Sequence, residues 1–244
     1  MLGRTMTDVS FAHRRATLAA FGLVARGRHL FLPAAGLLAV LLMLLTRWFW
    51  WVAGGTMAVL TVGLYGLSVV AILLYHPREL CARPALGAFE APLNPNRALL
   101  AGAFTFMGTT VLVLQPGAQS QVARVVALVV LAVVTAGLWY LGWRWNGVRL
   151  TAGGLTDHQP FGSLFVPWAA FAGHDPAVPI GRNQLALYFD RPELVVRRGY
   201  RPGSTHYLTA GADADLLARV IAEYVAEPAR RAAIGSETEL RRVL

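Results

Sequence analysis

Long uncharged apolar runs fill most of residues 30–143, and shorter alternating patterns replace them beyond that point. Four runs approach the thickness of a bilayer, and these are residues 30–46, 48–75, 98–114 and 125–143. A membrane-spanning helix needs about 20 apolar residues. We therefore predict an α-helical membrane domain of four spans over 30–143, with a tight turn near Arg47 between the first two.

Arginines beside these runs predict their orientation. The N-terminal tail, the loop 76–97 and the exit from the fourth run hold ten arginines, whereas the two short turns hold only Arg47 and Arg124. Cytoplasmic loops of membrane proteins carry an excess of basic residues. We therefore place both termini in the cytoplasm of a multi-pass plasma-membrane protein, with residues 1–29 as a basic cytoplasmic tail and 76–97 as a cytoplasmic connector.

Composition agrees with a membrane location and excludes several kinds of chemistry. The 244 residues are 56% hydrophobic and 14% charged, with a mean hydropathy of +0.50. The sequence has no lysine, so covalent chemistry through a lysine amine is excluded. The single cysteine, Cys81, cannot form an intramolecular disulfide or supply a cysteine-based metal site. We predict no cofactor, no metal and no catalytic residue.

The net charge of +9 does not indicate a nucleic-acid partner. Residues 1–143 hold ten arginines against three acidic residues, which gives +7 in the apolar half of the chain. Charge beside apolar runs is typical of membrane topology. The four runs themselves contain no Asp, Glu, His or Arg, and transporters or pumps usually place such residues inside their spans.

The last hundred residues predict short strands followed by a helix. A hairpin is predicted where a glycine-rich turn separates residues 147–151 from residues 155–158. Further strands are predicted at 163–168, 184–189, 193–197 and 205–209. No strand is expected over 172–183. Asp213 is a suitable N-cap for a helix that ends at Glu227-Pro228 and presents one apolar stripe of Leu216, Leu217, Val220, Ile221, Tyr224 and Val225. A short basic helix is expected after it.

Several short motifs in this half resemble a known family. They are Gly147-Val148-Arg149-Leu150-Thr151 with Gly154-Leu155, Val166-Pro167-Trp168, Arg191-Pro192-Glu193-Leu194, and Glu227-Pro228 with Arg231-Ala232-Ala233-Ile234-Gly235. The sequence is similar to bacterial, especially actinobacterial, membrane proteins with a PH-like domain. The resemblance implies that residues 144–244 form a small cytoplasmic PH-like β-barrel with a C-terminal helix, which acts as an interaction module without catalytic activity.

These observations favour a noncatalytic membrane adaptor whose barrel binds a protein partner or the anionic membrane surface. One alternative is an accessory subunit of a transporter or cell-envelope enzyme, and homo-oligomerisation stays open. An enzyme is a further alternative, which a deep polar pocket holding His158, His174 or His206 beside a carboxylate would favour. His174-Asp175 alone is interpreted as a surface loop. The candidate membrane or partner surface consists of Arg144, Arg149, Arg197, Arg198 and Arg201.

Overall fold

The computed structural model describes residues 19–114, 121–144, 147–201 and 203–244 and divides the chain into two compact units. The helical unit combines the chain up to residue 75 with residues 94–144. The sheet unit combines residues 76–93 with residues 145–244, so it includes most of the predicted connector. Residues 1–18 of the predicted tail lie outside the described residues.

The helical unit contains helix α1 over Arg28–Leu74, α2 over Asn96–Leu114 and α3 over Gln121–Trp143. Helix α1 is interrupted at Phe49, whose φ of −136° and ψ of 57° are not helical. A straight helix of 47 residues would be about 70 Å long. The rings of Phe21 and Tyr75, which flank α1, nevertheless lie 6.1 Å apart. The chain therefore reverses direction at Phe49, and the two halves of α1 lie side by side.

The predicted fold class of four membrane spans is wrong. Within the described residues, two helices are long and apolar enough to cross a membrane, namely α1 and α3. The predicted runs 30–46 and 48–75 lie in the two halves of α1, and the predicted turn near Arg47 lies two residues before the interruption at Phe49. The predicted orientation rested on the count of four spans, and the fold does not support it.

Among its described residues, the sheet unit holds nine strands in two antiparallel sheets. The larger sheet has the order β1-β2-β3-β4-β5-β8 and the smaller one the order β6-β7-β9. The strands are β1 Cys81–Arg83, β2 Ala88–Glu90, β3 Gly147–Thr151, β4 Gly154–Gln159, β5 Gly162–Pro167, β6 Ala177–Pro179, β7 Gln184–Leu187, β8 Val196–Gly199 and β9 Tyr207–Thr209. The predicted hairpin at 147–158 is confirmed by the pairing of β3 with β4.

The predicted closed barrel is also wrong, because the described strands form two separate sheets. Strands β1 and β2 come from the loop 76–93 and extend the larger sheet beyond β3. Strand β8 pairs with β5 and forms the opposite edge of that sheet. Strand β6 lies within 172–183, where no strand was expected. The predicted strand at 193–197 begins as a 3₁₀ turn over Pro192–Leu194, becomes extended at Val195 and pairs as strand β8 from Val196.

The predicted C-terminal helix is confirmed as α4, Ala214–Ala226. The Asp213 carboxylate accepts a hydrogen bond from the Leu216 amide at 3.1 Å, and this bond satisfies one of the open donors at the helix start. The buried stripe covers the core of the sheet unit with Leu216, Leu217, Val220, Ile221 and Tyr224. A 3₁₀ helix over Pro228–Ala233 and a last helix, α5 over Glu237–Val243, follow.

Candidate functional site

The five predicted surface arginines divide between the two units, and those of the sheet unit do not share one face. Arg144 belongs to the helical unit, where its guanidinium group lies over the Tyr140 ring at 4.9 Å. The other four belong to the sheet unit. Among these, Arg149 and Arg198 share one face of the larger sheet, whereas Arg197 and Arg201 do not.

Arg201 is a buried structural residue and is only 2% exposed. Its Nε donates to Asp157 Oδ2 at 2.9 Å, and its two terminal nitrogens donate to the carbonyl oxygens of Ser204 and Tyr207 at 2.9 and 2.7 Å. Asp157 is equally buried, with 2% exposure. The prediction that Arg201 belongs to a membrane or partner surface is therefore wrong, because an arginine with a complete set of buried partners has no contact with an external ligand.

Strand register decides which of the remaining arginines share a face. Cross-strand partners in an antiparallel sheet point to the same side. Arg198 pairs with Ser163, and Ser163 pairs with His158, so these three lie on one face. Arg197 pairs with the fully buried Leu164 and faces the core side, where its guanidinium group donates to the Arg201 carbonyl oxygen.

Arg149 lies on the same face as Arg198. Its neighbours Val148 and Leu150 are buried, so the alternation of a strand turns Arg149 to the other side, where it pairs with Thr156. We call this side the outer face and define it by Arg83, Glu90, Arg149, His158, Ser163 and Arg198.

Glu90 links two arginines on the outer face. It accepts from Arg83 Nε at 3.0 Å and from Arg149 at 3.1 and 2.6 Å, and it is only 5% exposed. Sequence reasoning missed Arg83 and Glu90 because both lie in the proline-rich segment that was interpreted as a connector. The outer face thus carries three guanidinium groups and one carboxylate.

His158 adds less positive charge to the outer face than an ordinary histidine would. Burial lowers the pKa of its imidazole, and the nearby Arg149 guanidinium lowers that pKa further. The neutral imidazole can donate and accept hydrogen bonds. The charge of the outer face therefore comes from its guanidinium groups, which suit an acidic ligand.

A second arrangement of polar residues lies beside the smaller sheet. An open cleft of about 510 Å³ lies there. Its polar lining residues are His174, Asp175, Asp190 and His206, and the others are Ala172, Val178, Tyr188 and Phe189. The prediction that His174-Asp175 is a surface loop is confirmed, because both residues are exposed and lie outside helices and strands. Sequence reasoning did not find that the fold brings His206 and two carboxylates to the same cleft. His158 is not among its lining residues.

Comparison of the chain with protein-family models, with curated proteins and with solved structures finds no match. The likeness to actinobacterial PH-like proteins therefore stays a prediction. Within the described residues, no group of three or more His, Cys, Asp or Glu side chains could hold a metal ion.

Proposed function

We propose that this chain is a membrane-inserted, noncatalytic adaptor whose helical unit lies in a bilayer and whose sheet unit binds an acidic partner. The observation that carries the membrane part is the exposed apolar surface of α1 and α3. Only 17% of the most apolar window of α1 and 6% of that of α3 is buried. A core helix of a water-soluble protein would be mostly buried, so these surfaces need a hydrocarbon environment.

The aromatic residues at the reversal of α1 support the same proposal. Trp48, Phe49, Trp50 and Trp51 are consecutive and between 59% and 79% exposed. Four large exposed aromatic side chains in a row are costly in water. Tryptophan is enriched at the headgroup level of membranes, where its ring is in an apolar layer and its N–H group contacts water.

Alkaline carbonate extraction of native membranes tests the insertion of the helical unit. The protein should stay in the membrane pellet, whereas a protein bound only by charge is released. Quenching by brominated lipids in reconstituted vesicles then locates the reversal. A variant that keeps Trp50 as its only tryptophan should be quenched strongly, and a matched variant that keeps only Trp168, which is 3% exposed within the sheet unit, should not. Release by carbonate together with equal quenching would contradict the proposal.

The adaptor part of the proposal is supported by the outer face. Three guanidinium groups against one carboxylate attract acidic protein segments or anionic lipid headgroups, and an arginine near an anionic leaflet contributes about 1 kcal/mol. Arg198 is the best residue to change, because it is exposed and lies on edge strand β8.

Hydrogen exchange of the full chain in nanodiscs tests this surface. If the outer face binds lipid, protection of Val196–Gly199 should increase with anionic lipid and decrease with salt. Arg198→Glu should abolish that response, and Arg241→Glu, an exposed control on α5, should retain it. An unchanged exchange rate in anionic discs would remove the lipid role.

Purification from native membranes in mild detergent tests binding to protein. A partner that is captured by the wild type and by Arg241→Glu, and is lost from Arg198→Glu, would support an adaptor. A stoichiometric integral-membrane partner that Arg198→Glu retains would instead favour an accessory subunit that assembles through α1 and α3.

A further inference from the structure

The cleft beside the smaller sheet is formed by residues from three separate parts of the chain. Ala172, His174 and Asp175 come from the loop before β6, Tyr188 to Asp190 follow β7, and His206 directly precedes β9. Backbone hydrogen bonds hold these parts together, since the Ala172 amide donates to the Tyr188 carbonyl at 2.9 Å and the Leu187 amide donates to the His206 carbonyl at 2.7 Å. The cleft is therefore a fixed part of the fold.

The imidazole of His206 is held in one orientation. Its Nδ1 lies 3.1 Å from the Leu187 carbonyl oxygen. A carbonyl oxygen can only accept, so Nδ1 carries the hydrogen of this contact. The ring also packs against Phe189 at 5.1 Å between centroids. These two contacts fix the orientation of the imidazole in the cleft.

The two carboxylates of the cleft are also positioned by the backbone. Asp190 accepts from the Gly173 amide through Oδ2 at 3.1 Å, which leaves Oδ1 for another donor. Asp175 has a φ of +47°, a left-handed conformation that is uncommon for a residue with a side chain. Both residues are exposed at the mouth of the cleft, where a ligand can reach them.

The charge of the cleft is opposite to that of the whole protein. The chain has 22 arginines and a net charge of +9, yet the lining contains two aspartates and no arginine among the described residues. Asp190 accepts from Gly173 through Oδ2, so its Oδ1 is an acceptor for a ligand in the cleft. Tyr188 is 50% exposed and adds an aromatic ring, whose face attracts cations.

We propose that this cleft binds a small organic cation of the amine or guanidine class. The charged nitrogen would be placed near Asp175 and Asp190, with a short alkyl chain against Val178 and Phe189. The volume of about 510 Å³ is in the range of small-molecule sites. This proposal concerns the sheet unit alone and does not depend on membrane insertion or on the outer face.

Calorimetric titration of the full chain in detergent with agmatine tests the proposal. Agmatine should bind with a 1:1 stoichiometry, and 1,5-pentanediol, a neutral molecule of similar length, should not. Binding should weaken with salt, because exposed charges are screened. Failure of agmatine to bind at millimolar concentration, or equal binding of the diol, would overturn the assignment.

Two isosteric variants test where the probe binds. Asp190→Asn keeps an oxygen that can accept from Gly173, and Asp175→Asn keeps a residue that tolerates the left-handed conformation, so both retain the fold while each removes one charge. Each should weaken agmatine about three- to tenfold. Asp215→Asn, an exposed control at the start of α4, should leave binding unchanged. If all three variants bound agmatine with the affinity of the wild type, the assignment of this site would be wrong.

A parallel titration with Zn²⁺ separates the organic cation from a metal ion. If Zn²⁺ binds, depends on both aspartates and excludes agmatine, the cleft is a metal site and the proposal is wrong. If agmatine binds with the predicted dependence on both aspartates and Zn²⁺ does not compete at equal concentration, the proposal stands.

Discussion

Replacement of Arg201 by methionine should strongly destabilise the sheet unit. Arg201 and Asp157 are each only 2% exposed and form a 2.9 Å ion pair. Methionine has a similar length but no charge, so the variant leaves the Asp157 carboxylate buried with only the amide of Gln159 as a partner, at 3.2 Å. The carbonyl oxygens of Ser204 and Tyr207 also lose their donors.

The magnitude follows from the cost of an uncompensated buried charge. Removing one partner of a buried pair costs about 3–5 kcal/mol. At 1.36 kcal/mol for each tenfold change, this raises the exchange rate of amides that open with the sheet unit by about two to nearly four orders of magnitude. Arg198→Met, on the exposed outer face, should change the stability by only about 0.5 kcal/mol.

Hydrogen exchange of the full chain in detergent measures this effect on the amides of β4 and β9. The double variant Asp157→Leu/Arg201→Met is the decisive control, because it removes both charges and leaves neither one unpaired. Its loss of stability should be smaller than the sum of the two single losses by a clear margin. A loss below about 1 kcal/mol for Arg201→Met, or simple additivity in the double variant, would refute the reasoning about burial.

Three further predictions concern other parts of the sheet unit. Ile221→Ala, at a fully buried position of α4, should lower the free energy of unfolding by about 2–5 kcal/mol in the same exchange measurement. A loss below about 1 kcal/mol would contradict the packing of α4 on the core. Arg149→Gln should raise the pKa of His158 in an NMR titration, because it removes a nearby positive charge. An unchanged pKa would show that the Arg149 charge does not act on the His158 imidazole. Hydrogen bonds from Arg242 lower the pKa of Glu239 in the folded protein. Docking of α5 should therefore be complete above the pKa of glutamate in the unfolded chain, about 4.3, and should be lost as the pH falls through the lower pKa of folded Glu239. Glu239→Gln should remove that acid dependence, which exchange of α5 amides would report.

Local patterns predicted the elements whose stabilising contacts are near in sequence. The β3–β4 hairpin needs only alternation and a glycine turn, and α4 needs only a cap at Asp213 and an apolar stripe, so both were predictable. Strands β1 and β2 have three residues each and lie among prolines. Their extended conformation depends on pairing with β3, which begins nearly sixty residues after β2 begins, and no local pattern encodes that distance.

The same limit applies to the span count. Charge-free runs record where apolar residues are, but a helix continues through Arg47 because its side chain is exposed and its backbone still forms helical hydrogen bonds. The break in α1 lies at Phe49, within an aromatic segment that remains apolar. The predicted turn near Arg47 is therefore close to the observed reversal, although the charged residue itself remains helical.

Residue types alone could not predict the candidate sites, because the register of strand pairing decides which side chains share a face. Arg197 and Arg198 are adjacent and chemically identical, yet the pairing of β8 with β5 turns one toward the core side and the other to the outer face. A shift of one residue in that pairing would exchange their roles. The cleft shows the same dependence, since Asp190 and His206 are separated by sixteen positions and meet only because β7 pairs with β9. In this protein the chemistry of a site is set by strand pairing, so a variant that shifts the register of β8 should move charge between faces without changing the composition of the chain.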